Sequence, residues 1–168
     1  MNISKSNPLW SFIFSTSRKR QKDMAGILSS VPLFEKLSRW ELRAIADIVH
    51  QRTYEEGEFV FRKGQPGAAM FVVTSGEVNI IDHDKDDKET VIATLGENSF
   101  FGELALLDDS PRSASALAVG STEIYAFFRT DLDRLFATAP QIGMVVYRSL
   151  AGIIGTRLKV TNEHLFDK

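Results

Sequence analysis

The sequence predicts an α+β fold in which an antiparallel, jelly-roll-like β-roll is flanked by N-terminal helices and a long C-terminal helix. Between residues 51 and 128, short runs of β-branched and aromatic residues alternate with glycine and proline, a pattern typical of strands joined by turns. On both sides of this region, apolar residues recur at spacings of three and four, which is typical of helices. The length of 168 residues favours one domain with its own hydrophobic core.

Residues 1–22 are predicted to be an N-terminal extension, separate from a domain that covers residues 23–168. The extension carries an aromatic segment at 9–14 and a basic tract at 18–22. This apolar-then-basic order is the reverse of a secretory signal. Such a segment can contact a membrane surface, or it can pack on its own domain, a partner or a second copy, and the sequence leaves these alternatives open. It is weak evidence for nucleic-acid binding.

The first elements of the domain are predicted to be helices, over residues 23–50. Ser38 and Glu41 have the spacing of a capping box, which predicts that one helix begins at 39 and extends to about 50. The β-roll then follows. Its strands are expected at 59–61, 70–73, 78–81, 91–95, 114–119 and 123–128. A tight turn is predicted at 75–77, where serine, glycine and glutamate separate two apolar runs.

Two helices are predicted after the roll, a short one at 131–139 and a long one at about 141–166. The long helix has two apolar stripes. One stripe consists of Ile142, Val146, Ser149, Ile153, Thr156 and Val160, close to a heptad series, and the other of Leu150, Ile154, Leu158, Thr161 and Leu165. A helix with two apolar faces needs two surfaces to pack on. The roll can cover one face, so the other predicts a homodimer through this helix.

Composition excludes several classes of protein. The chain has no cysteine, which excludes disulfides, thiolate metal sites and iron–sulfur clusters and fits a reducing compartment. The net charge of −2 gives no global attraction to nucleic acid or to an anionic membrane. No apolar run reaches the length of a membrane span. We therefore expect a cytoplasmic protein.

Residues 101–114, called the cassette below, place charged side chains in an apolar run, where burial is costly without a partner. Gly102 allows the backbone to approach a ligand, and a short helix near Glu103 would present free backbone N–H groups. Arg112, just after Pro111, can bind phosphate with two charge-assisted hydrogen bonds. Glu103 would repel phosphate and suits a hydroxyl donor. The predicted ligand therefore has one phosphate and an adjacent hydroxyl.

The cassette resembles the phosphate-binding cassette of cyclic nucleotide-binding domains, and the resemblance extends over residues 31–166. Further landmarks of the family are similar at 31–34, 57–61, 63–67 and 75–78. The resemblance implies that Glu103 holds the ribose 2′-hydroxyl and that Arg112 holds the cyclic phosphate, aided by backbone amides of Gly102, Glu103 and Ala114. The ligand-binding residues that it implies here are Phe101, Gly102, Glu103, Leu104, Ala105, Arg112, Ser113 and Ala114.

The long helix carries a second resemblance, at residues 157–163, to the bacterial activators of the same family. It implies that Arg157 pairs with the cassette glutamate and that Thr161 and Asn162 contact the base, one of them across a dimer. Asn162 departs from the serine of the activators. A hydroxyl at Ser113 can bind either phosphate or guanine in this family. We expect cAMP to be favoured over cGMP, with no other cofactor.

The resemblance implies a regulatory sensor that signals to an unknown effector protein by rearranging its C-terminal helix. In the activators this helix leads into a helix-turn-helix, whereas this chain stops at Lys168, so direct DNA binding by this chain is not expected. Two alternatives are a ligand-independent dimeric interaction module and the sensor part of a transcription regulator without its DNA-binding domain. No P-loop, nucleophile elbow or catalytic carboxylate pair is present, so we expect no enzyme and no catalytic residues.

No metal site is expected. Residues 82–87 begin like a calcium loop, but Asp87 stands where glycine is needed and Ala93 where the ligand glutamate is needed. The histidines His50, His83 and His164 have no metal-ligand spacing.

Overall fold

The computed structural model describes residues 24–83 and 88–166, so the predicted extension at 1–22 lies outside the described residues. The helices are α1 (24–29), α2 (Arg39–Ala46), α3 (Arg129–Thr138) and α4 (Pro140–Phe166). The strands are β1 (His50–Tyr54), β2 (Phe59–Phe61), β3 (Ala69–His83), β4 (Glu89–Leu95), β5 (Phe100–Phe101) and β6 (Ser115–Phe128). A four-residue 3-10 helix, Glu103–Leu106, lies between β5 and β6. The predicted α+β class, with a β-roll and a long C-terminal helix, is confirmed.

The sheet is built on β3 and β6, which pair with each other along most of their length. The strand order is β1-β6-β3-β4, with β2 added to β6 and β5 added to β3, and all the pairs are antiparallel. Side chains alternate along a strand. Met70 and Val72 of β3 accordingly join a core beneath the helices, whereas Phe71 and Val73 join a second core between the strands.

The helices pack together over the core that contains Met70 and Val72. Each contributes an apolar stripe that is buried against the same face of the sheet, as amphipathic helices do. The buried residues that they supply are Leu28 from α1, Leu42, Ile45 and Ala46 from α2, Leu132 and Leu135 from α3, and Ile142, Val146 and Leu150 from α4. The first half of the long helix is therefore part of the domain core.

The turn predicted at residues 75–77 is wrong, because β3 continues through this segment. Gly76 has a φ of +83°, and the register with β6 shifts on both sides of Ser75. A Cβ atom at position 76 would lie 2.6 Å from the carbonyl oxygen of Ser121. The glycine thus allows a bulge that bends the strand without ending it. The two runs at 114–119 and 123–128 are likewise one strand, β6.

The helical prediction for residues 23–50 is also too long. Residues 30–37 form turns, in which Pro32 has no N–H to donate to a helix. Helix α2 ends at Ala46, and His50 already pairs with Ala126 in β6. Residues 48 and 49 are β-branched, which favours extended backbone, and the ladder to β6 supplies hydrogen bonds that a longer helix would forgo.

The predicted capping box at the start of α2 is confirmed and gives a testable pH dependence. The Ser38 backbone N–H donates to a Glu41 carboxylate oxygen at 2.7 Å, and the Ser38 hydroxyl donates to the same oxygen at 2.6 Å. These bonds lower the pKa of Glu41 from its ordinary value near 4.5. Their contribution to stability is therefore full above that ordinary value and is lost as the pH falls through the lowered pKa of the folded state.

Replacing Ser38 with alanine is expected to lower the free energy of unfolding by about 1 kcal/mol at neutral pH, a typical value for a lost cap. The deficit should shrink in acid, where the Glu41 carboxyl is protonated and the wild-type bond is itself weakened. Urea denaturation at neutral pH and near pH 3 measures both quantities. An equal deficit at the two pH values would contradict this account.

Candidate functional site

A cavity of about 720 Å³ lies between the cassette, the strands of the roll and helix α4. Its walls are mostly apolar, with a few charged groups on the cassette and on α4. The lining residues are Phe61, Ile80, Ala93, Leu95, Phe100, Phe101, Gly102, Glu103, Leu104, Ala105, Leu107, Asp108, Ser110, Pro111, Arg112, Ser113, Ala114, Ile154, Arg157 and Leu158. An apolar pocket with a few convergent polar groups is typical of a small-molecule site.

Arg112 is the buried cation of this cavity, with 9% of its surface exposed. Its Nη2 donates to the carbonyl of Ala69 at 2.7 Å and its Nη1 to that of Gly102 at 3.2 Å. The guanidinium also lies 4.1 Å from the centre of the Phe61 ring. Among the described residues, none accepts a hydrogen bond from its buried Nε. Since a guanidinium has five N–H donors, several remain for an anion in the cavity.

Burial lowers the pKa of Arg112, and the Coulomb attraction of Glu103 partly offsets this effect. Arginine nevertheless stays protonated in proteins. The side chain is therefore a fixed positive charge that has lost much of its hydration, and a bound anion would restore favourable electrostatics there.

Gly102 is required by its position beneath this arginine. It has a φ of +71°, a conformation that side chains with a Cβ rarely adopt. A Cβ atom built on it would lie 2.7 Å from Nη1 of Arg112. Glycine therefore permits both the backbone turn into the 3-10 helix and the close approach of the guanidinium.

Glu103 and Arg157 join the cassette to α4. Glu103 is only 5% exposed, and its Oε1 accepts a hydrogen bond from Nη1 of Arg157, with which it forms an ion pair. The Arg157 guanidinium also lies 5.2 Å from the centre of the Phe100 ring. The pairing that the resemblance implied is present in the structure. An ionised carboxylate is an acceptor only and can accept several hydrogen bonds, so Glu103 can receive a ligand hydroxyl in addition to Arg157.

The structure brings most of the predicted site residues together but not all. Nine of the eleven line the cavity: Phe101, Gly102, Glu103, Leu104, Ala105, Arg112, Ser113, Ala114 and Arg157. Asn162 is exposed on α4 and does not line the cavity. The side chain of Thr161 lies outside the described part of the structure.

Several lining residues were not predicted from the sequence. Ile154 and Leu158 come from the second apolar stripe of α4, and that stripe was the signal that could have placed them here. The wall residues from the strands, such as Ile80, Ala93 and Leu95, carry no such signal, because each of them fits the ordinary core of a roll.

No three His, Asp or Glu side chains in residues 24–83 and 88–166 are grouped so as to hold a metal ion. In the same ranges, no helix combines the length and apolar character that crossing a bilayer requires.

Comparison with known proteins identifies a family and several relatives of this chain. The family model for the cyclic nucleotide-binding domain matches residues 51–139. The cyclic AMP receptor protein of Thermus thermophilus is 36% identical over 128 residues, which are 76% of this chain and 57% of that protein. A cAMP-dependent protein kinase regulatory subunit of Mycosarcoma maydis is 35% identical over 67% of this chain and 21% of its own length. The chain thus spans little more than half of the first relative and about a fifth of the second.

Solved structures agree with these sequence matches. The catabolite activator protein of Thermus thermophilus has a TM-score of 0.73 at 35% identity, over 80% of this chain and 61% of that one. A cyclic nucleotide-binding domain from Methylobacillus flagellatus has a TM-score of 0.75 at 25% identity, over 89% of this chain and 84% of that one.

Proposed function

The chain belongs to the cyclic nucleotide-binding domain family, and from this premise we propose that its cavity binds a cyclic mononucleotide, with cAMP favoured over cGMP. The family is regulatory. The proposed activity is therefore ligand sensing, without catalytic residues and without turnover of the nucleotide. The proposed ligand-contacting residues are the nine that line the cavity, together with Thr161 and Asn162 of α4.

The observation that carries this proposal is the buried guanidinium of Arg112, held on two carbonyls in the wall of a mostly apolar cavity. Its position is fixed before any ligand arrives, so binding an anion costs little reorganisation. The cyclic phosphate is a monoanion that can accept two hydrogen bonds from one arginine. Backbone amides of the cassette, implied by the family resemblance, would complete the phosphate site.

The ribose hydroxyl is assigned to Glu103, which accepts hydrogen bonds and cannot donate them while it is ionised. The phosphate is kept away from this carboxylate by charge repulsion and is drawn to Arg112. The two charges of the cassette therefore define the orientation of the ligand. The nucleobase would lie against the apolar wall that includes Ile154 and Leu158 of α4.

Signalling is proposed to use α4, because Arg157 of this helix is paired with the same carboxylate that the ribose would contact. A ligand that changes the Glu103–Arg157 pairing changes the relative stability of helix positions and so shifts their populations. An effector protein, of unknown identity, would recognise the altered helix. The contacts of Thr161 and Asn162 with the base would form in that rearranged state or across a dimer.

The ligand-independent interaction module is the alternative function, and the cavity argues against it. A chain that had lost its ligand would be expected to fill the space beside Arg112 with its own side chains. A cavity of about 720 Å³ instead remains beside that guanidinium. The third reading, a transcription-regulator sensor whose readout domain is elsewhere, differs only in the effector and uses the same ligand site.

Calorimetric titration of the purified protein with cAMP and with cGMP tests the proposal. We expect saturable binding of at least one nucleotide, tighter for cAMP, and a rise in melting temperature that grows with nucleotide concentration. AMP, which has the same base but a dianionic, open phosphate, is the control ligand and should bind more weakly. The absence of heat and of thermal stabilisation with both cyclic nucleotides would contradict the proposal, and conversion of either to AMP would contradict the absence of catalysis.

We also propose homodimerisation through α4, but through other residues than the stripe from which the sequence predicted it. Ile142 and Val146, the start of the heptad series from which a dimer was predicted, are buried in the domain itself. The apolar face that stays exposed is instead Met144, Tyr147 and Leu158, which fit the same heptad spacing. We expect Met144→Glu, a change on this face that is outside the cavity lining, to convert a micromolar dimer into a monomer in sedimentation experiments. A monomeric wild-type protein, with or without cAMP, would contradict this interface.

A further inference from the structure

Arg129 connects the cassette to helix α3 through contacts that neither the family resemblance nor the proposed ligand site includes. It is the first residue of α3, directly after β6. Its Nη1 donates to the carbonyl of Ala105 at 3.3 Å and also to the carbonyl of Asp108, and its Nη2 forms an ion pair with Asp109. One guanidinium therefore holds three successive parts of the cassette.

These contacts lie at the C-terminal end of the 3-10 helix, where backbone carbonyls have no partners within the helix. A cation favours this end, since the carbonyls there carry partial negative charge. The backbone N–H of Arg129 is itself bonded to the carbonyl of Ala68 at 2.9 Å, next to the start of β3. The base of the side chain is thus fixed to the sheet while its tip holds the cassette.

Arg129 does not line the described cavity, so its loss removes no direct ligand contact. At its C-terminal end, α3 is joined to α4 by the single residue Ala139, and the two helices pack closely. A Cβ atom on Gly143 would lie 3.2 Å from the Phe136 ring, and that ring meets Tyr147 edge-on at 6.1 Å between centroids. A displacement of the cassette that is transmitted to the start of α3 therefore reaches α4 through packed side chains.

We propose that Arg129 is the positioning residue that transmits a displacement of the cassette to α3 and α4, separately from the Glu103–Arg157 pair. This inference rests on the proposed binding of a cyclic nucleotide. The proposal gives different roles to Arg157 and Arg129, the two arginines outside the phosphate site. Arg157 contacts the carboxylate that faces the ligand, whereas Arg129 holds the far end of the same 3-10 helix and makes it move as one body with α3.

The test separates binding from transmission in the full chain. Because the sequence has no cysteine, spin labels on Glu77→Cys in β3 and Lys159→Cys in α4, both exposed positions, report one distance by pulsed electron paramagnetic resonance. The distance is measured with and without saturating cAMP in the labelled parent, in Arg129→Gln and in Arg134→Gln. Arg134 is the matched control, an exposed arginine of the same helix that takes part in none of the ion pairs of the described residues. Affinity for cAMP is measured by calorimetry in each protein.

We expect cAMP to change the label distance by the same amount in the parent and in Arg134→Gln, and by a clearly smaller amount in Arg129→Gln, in which only the Glu103–Arg157 pair still couples the ligand to α4. The affinity of Arg129→Gln should fall by about fivefold at most, the lower end of typical coupling effects. A residue that only stabilises the loop would lower the melting temperature and leave the distance change intact, and this result would overturn the proposal. An equal loss of the cAMP-dependent distance change in Arg134→Gln would also overturn the proposal.

If Arg129→Gln does not fold, Arg129→Lys serves in its place, because lysine keeps the charge near Asp109 but lacks the fork that reaches two carbonyls. It should also show a smaller distance change than the parent, and a full response in this variant overturns the proposal. A parent that binds cAMP without any distance change overturns it as well, while the binding function stands. A parent that binds neither cAMP nor cGMP contradicts the proposed function itself.

Discussion

Replacing Arg112 with alanine is expected to weaken cyclic nucleotide binding by roughly two orders of magnitude or more, in line with the cost of truncating one partner of a buried, hydrogen-bonded charge pair. The guanidinium is held by the carbonyls of Ala69 and Gly102 and is nearly excluded from water. Its removal leaves a phosphate in a pocket without its counter-charge. The loss should appear in the calorimetric affinity and in the disappearance of thermal stabilisation by cAMP.

Two further variants sharpen this result. Arg112→Lys keeps the charge but loses the planar fork, so an intermediate affinity is expected. Arg43→Ala removes an exposed arginine of α2 and should bind cAMP as the wild type does. Equal affinities for Arg112→Ala and Arg43→Ala would exclude Arg112 from the ligand site.

Replacing Gly76 with alanine is expected to destabilise the fold by about 3 kcal/mol, from the cost of a positive φ together with the overlap forced by a new methyl group. The φ of Gly76 is +83°, and its Cβ would lie 2.6 Å from the Ser121 carbonyl oxygen and 2.9 Å from Cα of Thr122. Because these neighbours include backbone atoms of β6, they cannot move aside as a side chain would.

The matched control for Gly76 is Gly120→Ala. Gly120 also has a positive φ, +72°, but nothing lies within 4 Å of its Cβ position. Only the conformational cost applies there, about 1 kcal/mol. Urea denaturation of the two variants separates strain from overlap. Equal losses in the two variants would show that the close approach of β3 and β6 at this bulge does not limit stability.

Local patterns predicted the element types well but not where the elements end. Gly76 between two apolar runs is the same local signal whether the chain turns back or continues through a bulge. Only the pairing of Ser75 with Glu123 and of Glu77 with Val119, on the distant strand β6, distinguishes the two. The end of α2 was misplaced for a similar reason. Pairing of residues 50–54 with β6 is a long-range contact, and local periodicity does not report it.

The site was predictable where its residues are neighbours in sequence. Glycine, glutamate and arginine in the cassette are informative because charges in an apolar run need partners. Arg129 carried no such signal, because a charged residue at the start of a helix is ordinary. Asn162 was placed at the base through resemblance alone, and in this chain it points into solvent. The other residues of the cavity wall were not predictable, because whether they face the cavity depends on how the strands curve.

The alternation of side chains along β3 and β6 also sets which parts of the domain can open alone. Each of these strands supplies residues to both hydrophobic cores, so neither core can be exposed while the other stays intact. Their amides should exchange with solvent only through global unfolding, whereas the exposed strand β4 can open in small local events. The carbonyl of Ala69, which holds Arg112, belongs to the most slowly exchanging unit. The anion site is thus anchored in the last part of the molecule to unfold, beside the parts that open first.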